Sequence, residues 1–76
     1  MKDLLSFIVQ NITNSHDFAI EETVDNSKYS YIIKVKPEIF GVVIGKEGRT
    51  IKAIRAIAKV RAVVESKSVN VEVDNL

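Results

Sequence analysis

The sequence predicts an α+β fold in which three strands form one sheet backed by three helices, in the order α-β-β-α-α-β. Three observations carry that prediction. Apolar residues recur at helical spacing near the start and again after Gly48, three short runs alternate apolar with polar residues, and turn-forming residues punctuate the joins. The chain has 76 residues, enough for a single domain, 1–76, and helices packed on one side of a sheet bury both apolar surfaces economically.

The first helix is read from Leu4, Leu5, Ile8, Val9 and Ile12, which fall on one stripe of residues 2–13, with Phe7 near the edge of that stripe. Asn14-Ser15-His16-Asp17 stops it and turns the chain. Phe18, Ile20, Glu22 and Val24 then alternate with Ala19, Glu21 and Thr23 as a short strand. Asp25-Asn26-Ser27-Lys28 has the chemistry of a turn, so this strand and the next should form a hairpin. The clearest strand is Tyr29 to Lys36, with Tyr29, Tyr31, Ile33 and Val35 on one face and Ser30, Ile32, Lys34 and Lys36 on the other.

Pro37 ends that strand and suits the first turn of a helix, and Glu38 complements the helix dipole. The short helix so begun should reach Ile44 and stop at Gly45. A longer helix is expected from about Arg49 to Val64. On it Lys52, Arg55 and Lys59 fall on one stripe, while Ile51, Ile54, Ile57, Ala58, Val60 and Val64 cover an apolar arc wider than one sheet needs. Val69, Val71 and Val73, alternating with Asn70, Glu72 and Asp74, make the last strand, and Asn75-Leu76 is read as a tail. A single core in a chain this short supplies only roughly 3–5 kcal/mol, so the wide apolar arc is read as a dimer contact or as tighter internal burial.

The net charge of +1 conceals a strong asymmetry. Residues 41–67 hold seven basic side chains (Lys46, Arg49, Lys52, Arg55, Lys59, Arg61, Lys67) against Glu47 and Glu65, a balance of +5, and the remainder sums to −4. Such a division points to an anionic partner for one face. Other functions lack their parts. Cysteine is absent, so there is no disulfide, thiolate nucleophile or sulfur-held metal. His16 stands alone in a turn and reads as a surface residue, Tyr29 and Tyr31 read as packing residues, and no cofactor is expected. Residues 41–47 resemble a nucleotide-binding P-loop only superficially, with three residues between the glycines and no Ser or Thr for magnesium. Catalysis is not expected. Neither a secretion leader nor a membrane span is evident, which makes the cytoplasm the expected compartment.

The informative run is Val43-Ile44-Gly45-Lys46-Glu47-Gly48-Arg49-Thr50-Ile51-Lys52-Ala53-Ile54. Glycines at 45 and 48 open backbone torsions closed to other residues and clear side chains from the path of a nucleic-acid backbone. The helix that starts after Gly48 turns its N-terminal N–H groups toward the loop, where a phosphate is favoured, and Lys46, Arg49 and Lys52 add full charges.

This run resembles the KH-domain signature, an Ile-Gly-x-x-Gly loop joining two helices, and the element order is similar to the type II KH arrangement of prokaryotes. With Met1-Lys2-Asp3-Leu4-Leu5 at the start, Lys36-Pro37-Glu38 before the loop and Lys52-Ala53-Ile54-Arg55 after it, nearly the whole chain resembles the small bacterial KhpA family. The resemblance implies single-stranded RNA as the ligand, its backbone clamped at the loop and its bases in an adjacent apolar groove. It places RNA contacts at Gly41, Val42, Ile44, Gly45, Lys46, Glu47, Gly48, Arg49, Ile51 and Lys52, with a strand edge it does not locate. It also implies a post-transcriptional or RNA-chaperone role, and a homodimer or a larger KhpB-like KH-containing partner. Glu47 departs from a basic or neutral loop and should repel phosphate. The alternatives are a protein-interaction module with negligible RNA binding, and a binder of single-stranded DNA. Arg55 and Lys59 read equally well as a solvated helix face.

Overall fold

The computed structural model describes all 76 residues. Helix α1 (Lys2–Thr13) is followed by strands β1 (Phe18–Val24) and β2 (Lys28–Val35), helix α2 (Pro37–Ile44), one 3-10 turn (Lys46–Gly48), helix α3 (Arg49–Val64) and strand β3 (Ser68–Asn75). The predicted order and the three-stranded sheet are both present.

Local chemistry explains the joins. Asn14 closes α1 in the left-handed region, at φ 54°, which asparagine tolerates better than most residues. The β1–β2 hairpin is held by the Asp25 carboxylate, which accepts the backbone N–H groups of Ser27 and Lys28 at 3.0 and 2.9 Å. Lys36, expected to end β2, is instead the extended N-cap of α2, directly before Pro37. The residue before a proline favours that backbone, and the Lys36 ammonium pairs with Asp17 at 3.2 Å.

The sheet order is β1-β2-β3. β1 runs antiparallel to β2, whereas β3 runs parallel to it, because the chain leaves β2 at Val35 and returns only after both later helices. The parallel register sets Tyr29, Tyr31 and Ile33 beside Val69, Val71 and Val73. It also carries β3 one residue into the expected tail: Asn75 pairs with Val35, and the Leu76 N–H donates to the Val35 carbonyl at 2.8 Å.

The core lies between one sheet face and the helices. Leu5 and Val9 of α1, Val43 of α2, and Ile51, Ile54 and Ala58 of α3 pack on Ile20, Tyr31, Ile33, Val35 and Val71 of the sheet. The Tyr31 hydroxyl donates to Glu22 at 2.8 Å, so its buried phenol is satisfied. Burial, with that hydrogen bond, pushes the Tyr31 pKa well above the usual phenol range. The apolar arc of α3 is divided. Ile51, Ile54, Ala58 and Ala62 form a buried stripe, while Ile57, Val60 and Val64 lie on an exposed one with Val63. Phe7 also faces solvent.

Because residues 65–67 turn α3 directly into β3, helix and strand run in opposite directions. The Nε of Arg55 meets the carbonyl of Val71 at 2.9 Å, which places the start of α3, and the loop before it, toward the C-terminal end of β3.

Candidate nucleic-acid interface

The site is built on a reversal that only glycine permits at its first position. Gly45 ends α2, donating its N–H to the Gly41 carbonyl at 2.8 Å, and sits at φ 77°, ψ 169°. That region is essentially closed to residues with a side chain. A Cβ there would also stand 2.7 Å from both the backbone nitrogen and the Cβ of Thr50 and would overlap the Thr50 hydroxyl. Gly48 serves differently. It is the left-handed N-cap of α3 at φ 74°, ψ 15°, and a Cβ would find its nearest neighbours 3.9 Å away, at Ile51 and Lys52. Between them Glu47 also has positive φ, 58°. The Gly48 N–H closes the turn on the Gly45 carbonyl at 3.1 Å.

The loop therefore delivers the chain to the start of α3 with no side chain capping that end and no acidic residue in its first turn. The Arg49 N–H is taken by the Lys46 carbonyl, and the positive end of the helix dipole faces the loop, an arrangement that suits a phosphate. Lys46, Arg49 and Lys52 are exposed around it. Lys46 and Lys52 take part in no ion pair, and Arg49 reaches only Glu47, at 3.8 Å. Gly41 and Val42 are exposed on α2, and Ile44 and Gly45 are half-buried beside them. Ile51, at 5% exposure, packs into the core at the start of α3.

The KhpA/KhpB KH-domain family model matches residues 2–73, the whole of this architecture apart from its last residues. The chain belongs to the KhpA/KhpB KH-domain family. Among its relatives, the RNA-binding protein KhpA of Clostridium perfringens is 38% identical over 74 residues, covering 96% of this chain and 99% of the relative. The protein of the same name from Clostridium acetobutylicum is 40% identical over the same shares. That from Chlamydia caviae is 44% identical over 59 residues, covering 75% of this chain and 74% of its own. The glycine loop of this KH domain thus lies inside the matched span.

Two features of the KH domain escape sequence reasoning. The first is Arg55. Its bond to Val71 removes it from a purely solvated stripe and identifies β3 as the strand edge that runs beside the basic side of α3. Nothing in a helical wheel separates an arginine that reaches a strand from one that reaches water. Lys59, one turn further on, has no such tether.

The second is a polar cluster at the far end of α3. Tyr29 donates its hydroxyl to Glu65 at 2.7 Å, Arg61 pairs with the other oxygen of Glu65 at 3.2 Å, and the Lys67 ammonium lies 5.5 Å from the Tyr29 ring centroid. The Tyr29 hydrogen bond, with help from Arg61, holds the Glu65 carboxyl below its usual range, and the same bond raises the Tyr29 phenol. Arg61 and Lys67 are thereby committed to structure. The cation surplus read from the sequence is left free mainly at Lys46, Lys52 and Lys59.

The exposed stripe of α3 completes the surface of the domain. Ala56, Lys59, Val60, Val63 and Val64 line an open, mostly apolar depression of about 450 Å3. Val60 and Val64 are 66% and 77% exposed. Such a run of solvated valines is unusual for a helix whose opposite stripe is already buried.

Proposed function

We propose that this KH domain is a non-catalytic, cytoplasmic binder of single-stranded RNA with a post-transcriptional or RNA-chaperone role. The single observation that carries the reading is the Gly45–Gly48 reversal, which presents a helix start without a side-chain cap, ringed by Lys46, Arg49 and Lys52. Phosphate oxygens would lie at the positive end of the helix dipole, with Lys46 and Arg49 beside them and Lys52 following along α3. Bases would lie between α2, at the exposed Gly41 and Val42 and the half-buried Ile44, and the β3 edge that Arg55 marks. Relatives that span nearly the whole chain bear the name RNA-binding protein, which supports the same reading. An unpaired strand fits this geometry better than a duplex, because bases must leave a stack to reach a groove beside the loop.

The exposed valine stripe supports a second element of the proposal: the domain pairs through α3, either with a copy of itself or with a larger KH-containing partner. A core of this size gains from an added apolar contact, and two such stripes are self-complementary under two-fold symmetry.

The test is fluorescence anisotropy of a labelled single-stranded RNA pool with the wild type and a Lys46→Asp, Glu47→Asp double variant, over a salt series. The expected result is a log–log slope of about −0.7 per phosphate contacted for the wild type, with binding lost in the folded variant. Equal behaviour of the two proteins would remove RNA from the loop and leave the α3 face, as a protein-association module, the better account.

A further inference from the structure

We propose that Glu47 limits RNA affinity by acting as an internal competitor: in the free protein its carboxylate holds the Arg49 guanidinium, and an RNA phosphate must displace it to gain that contact. The inference rests on the loop being the RNA site, as proposed above. It assigns a specific role to the one acidic side chain in residues 41–64.

Three observations converge on Glu47. Its Oε2 lies 3.8 Å from Nη2 of Arg49, and both side chains are at least 70% exposed, so the pair is loose and reachable by a ligand. Its backbone is left-handed, at φ 58°, ψ 26°, where glycine or asparagine would be at ease and glutamate is strained. Its charge is also the wrong sign for a phosphate site. A residue that violates the backbone preference and the charge preference of its own loop is the kind of local conflict that collects at functional positions.

The surroundings make Arg49 the point of competition. Lys46 precedes Glu47 and Lys52 lies a turn into α3, yet neither is paired. Glu47 neutralises one loop cation and leaves the other two free to attract RNA. An exposed pair of this geometry is weak, so it tempers binding without blocking it. Its removal should tighten binding by about two- to fivefold, the equilibrium factor of an exposed ion pair.

Direct repulsion between Glu47 and phosphate would also weaken binding, and the two causes separate in a double-variant cycle. Anisotropy with single-stranded RNA at low salt is measured for the wild type, Glu47→Gln, Arg49→Gln and the double variant. Glutamine keeps the shape and the backbone demand of Glu47, and thermal melts confirm equal folding. Competition predicts that Glu47→Gln binds about two- to fivefold tighter and that the gain disappears when Arg49 is absent. A Glu47→Gln affinity equal to wild type, or the same gain in the Arg49→Gln background, overturns the competition while leaving the loop as the RNA site. Wild type that fails to bind overturns both. The Arg49 Nε–H resonance is a second readout that does not depend on weak titrations. Glu47→Gln must shift it in the free protein, and a resonance indifferent to that substitution also overturns the proposal.

Discussion

Replacing Gly45 with alanine should nearly unfold the protein, whereas the same change three residues later or four residues earlier should not. At φ 77°, ψ 169° an alanine incurs about 1–3 kcal/mol of backbone strain. Its Cβ would lie 2.7 Å from the nitrogen and Cβ of Thr50, in the first turn of α3. That turn is anchored by the buried Ile51 and Ile54, so relief requires moving the helix against the core, worth about 1–3 kcal/mol more. The sum is comparable with the roughly 3–5 kcal/mol a core of this size supplies. Gly48→Ala meets the left-handed penalty without the overlap, its Cβ being 3.9 Å from any neighbour, and should lose about 1–2 kcal/mol. Gly41→Ala, in open space within α2, should gain up to about 1 kcal/mol of helix propensity. Urea and thermal unfolding by circular dichroism give the order directly. At about 4–8 °C per kcal/mol for a domain this small, Gly45→Ala should melt far below Gly48→Ala. Equal melting of the two would refute the argument that the Thr50 contact, as well as positive φ, requires a glycine at 45.

Tyr31 supplies a pH test. Its folded pKa is raised, chiefly by burial, so the unfolded chain releases that proton first as pH climbs through about 10. Stability from Tyr31 is complete below that point and falls above it, by up to about 1.4 kcal/mol per pH unit. Urea midpoints between pH 9 and 11.5 should therefore decline less steeply for Tyr31→Phe than for wild type, and parallel slopes would contradict the burial of an ionisable phenol there. The α3 face makes a different prediction. Val60→Asp changes a side chain 66% exposed, so it should leave the melt of a dilute monomer within about 0.5 kcal/mol while converting a sedimenting dimer to monomer. A wild type that stays monomeric at high concentration removes the self-pairing proposal.

The elements legible in the sequence were those whose neighbours hardly matter. Alternation placed Tyr31, Ile33 and Val35 on the covered face of β2, and helical spacing placed Leu5 and Val9 on the covered side of α1, because both periods follow from backbone geometry alone. The Gly45 to Gly48 loop was legible because both of its glycines sit at positive φ. What sequence could not supply were facts of relative position. Alternation in residues 69–73 is the same whether β3 runs parallel or antiparallel to β2, and only the return of the chain through α2 and α3 decides it.

Helical spacing likewise gave the arc of α3 but not its occupant. The arc proved to be two stripes, one against the sheet and one in solvent, which is why Ile54 and Ile57 have opposite fates. Ile51, expected in the groove wall, is largely buried among core residues of the sheet, a depth that helical spacing does not give. Arg55 reads as a basic surface residue until the strand it touches is placed. Glu47 was legible as an anomaly, and its partner Arg49 was not.

The most direct test of the central claim is a titration of the 15N-labelled protein with a short single-stranded RNA, followed by amide chemical shifts. If the loop is the clamp, the largest shifts fall on Gly45 to Lys52, extend to Gly41 and Val42 of α2 and to the C-terminal half of β3, and spare the Tyr29–Glu65 end of the domain. Shifts concentrated on Val60, Val63 and Val64, with Gly45 to Lys52 unmoved, would contradict the account.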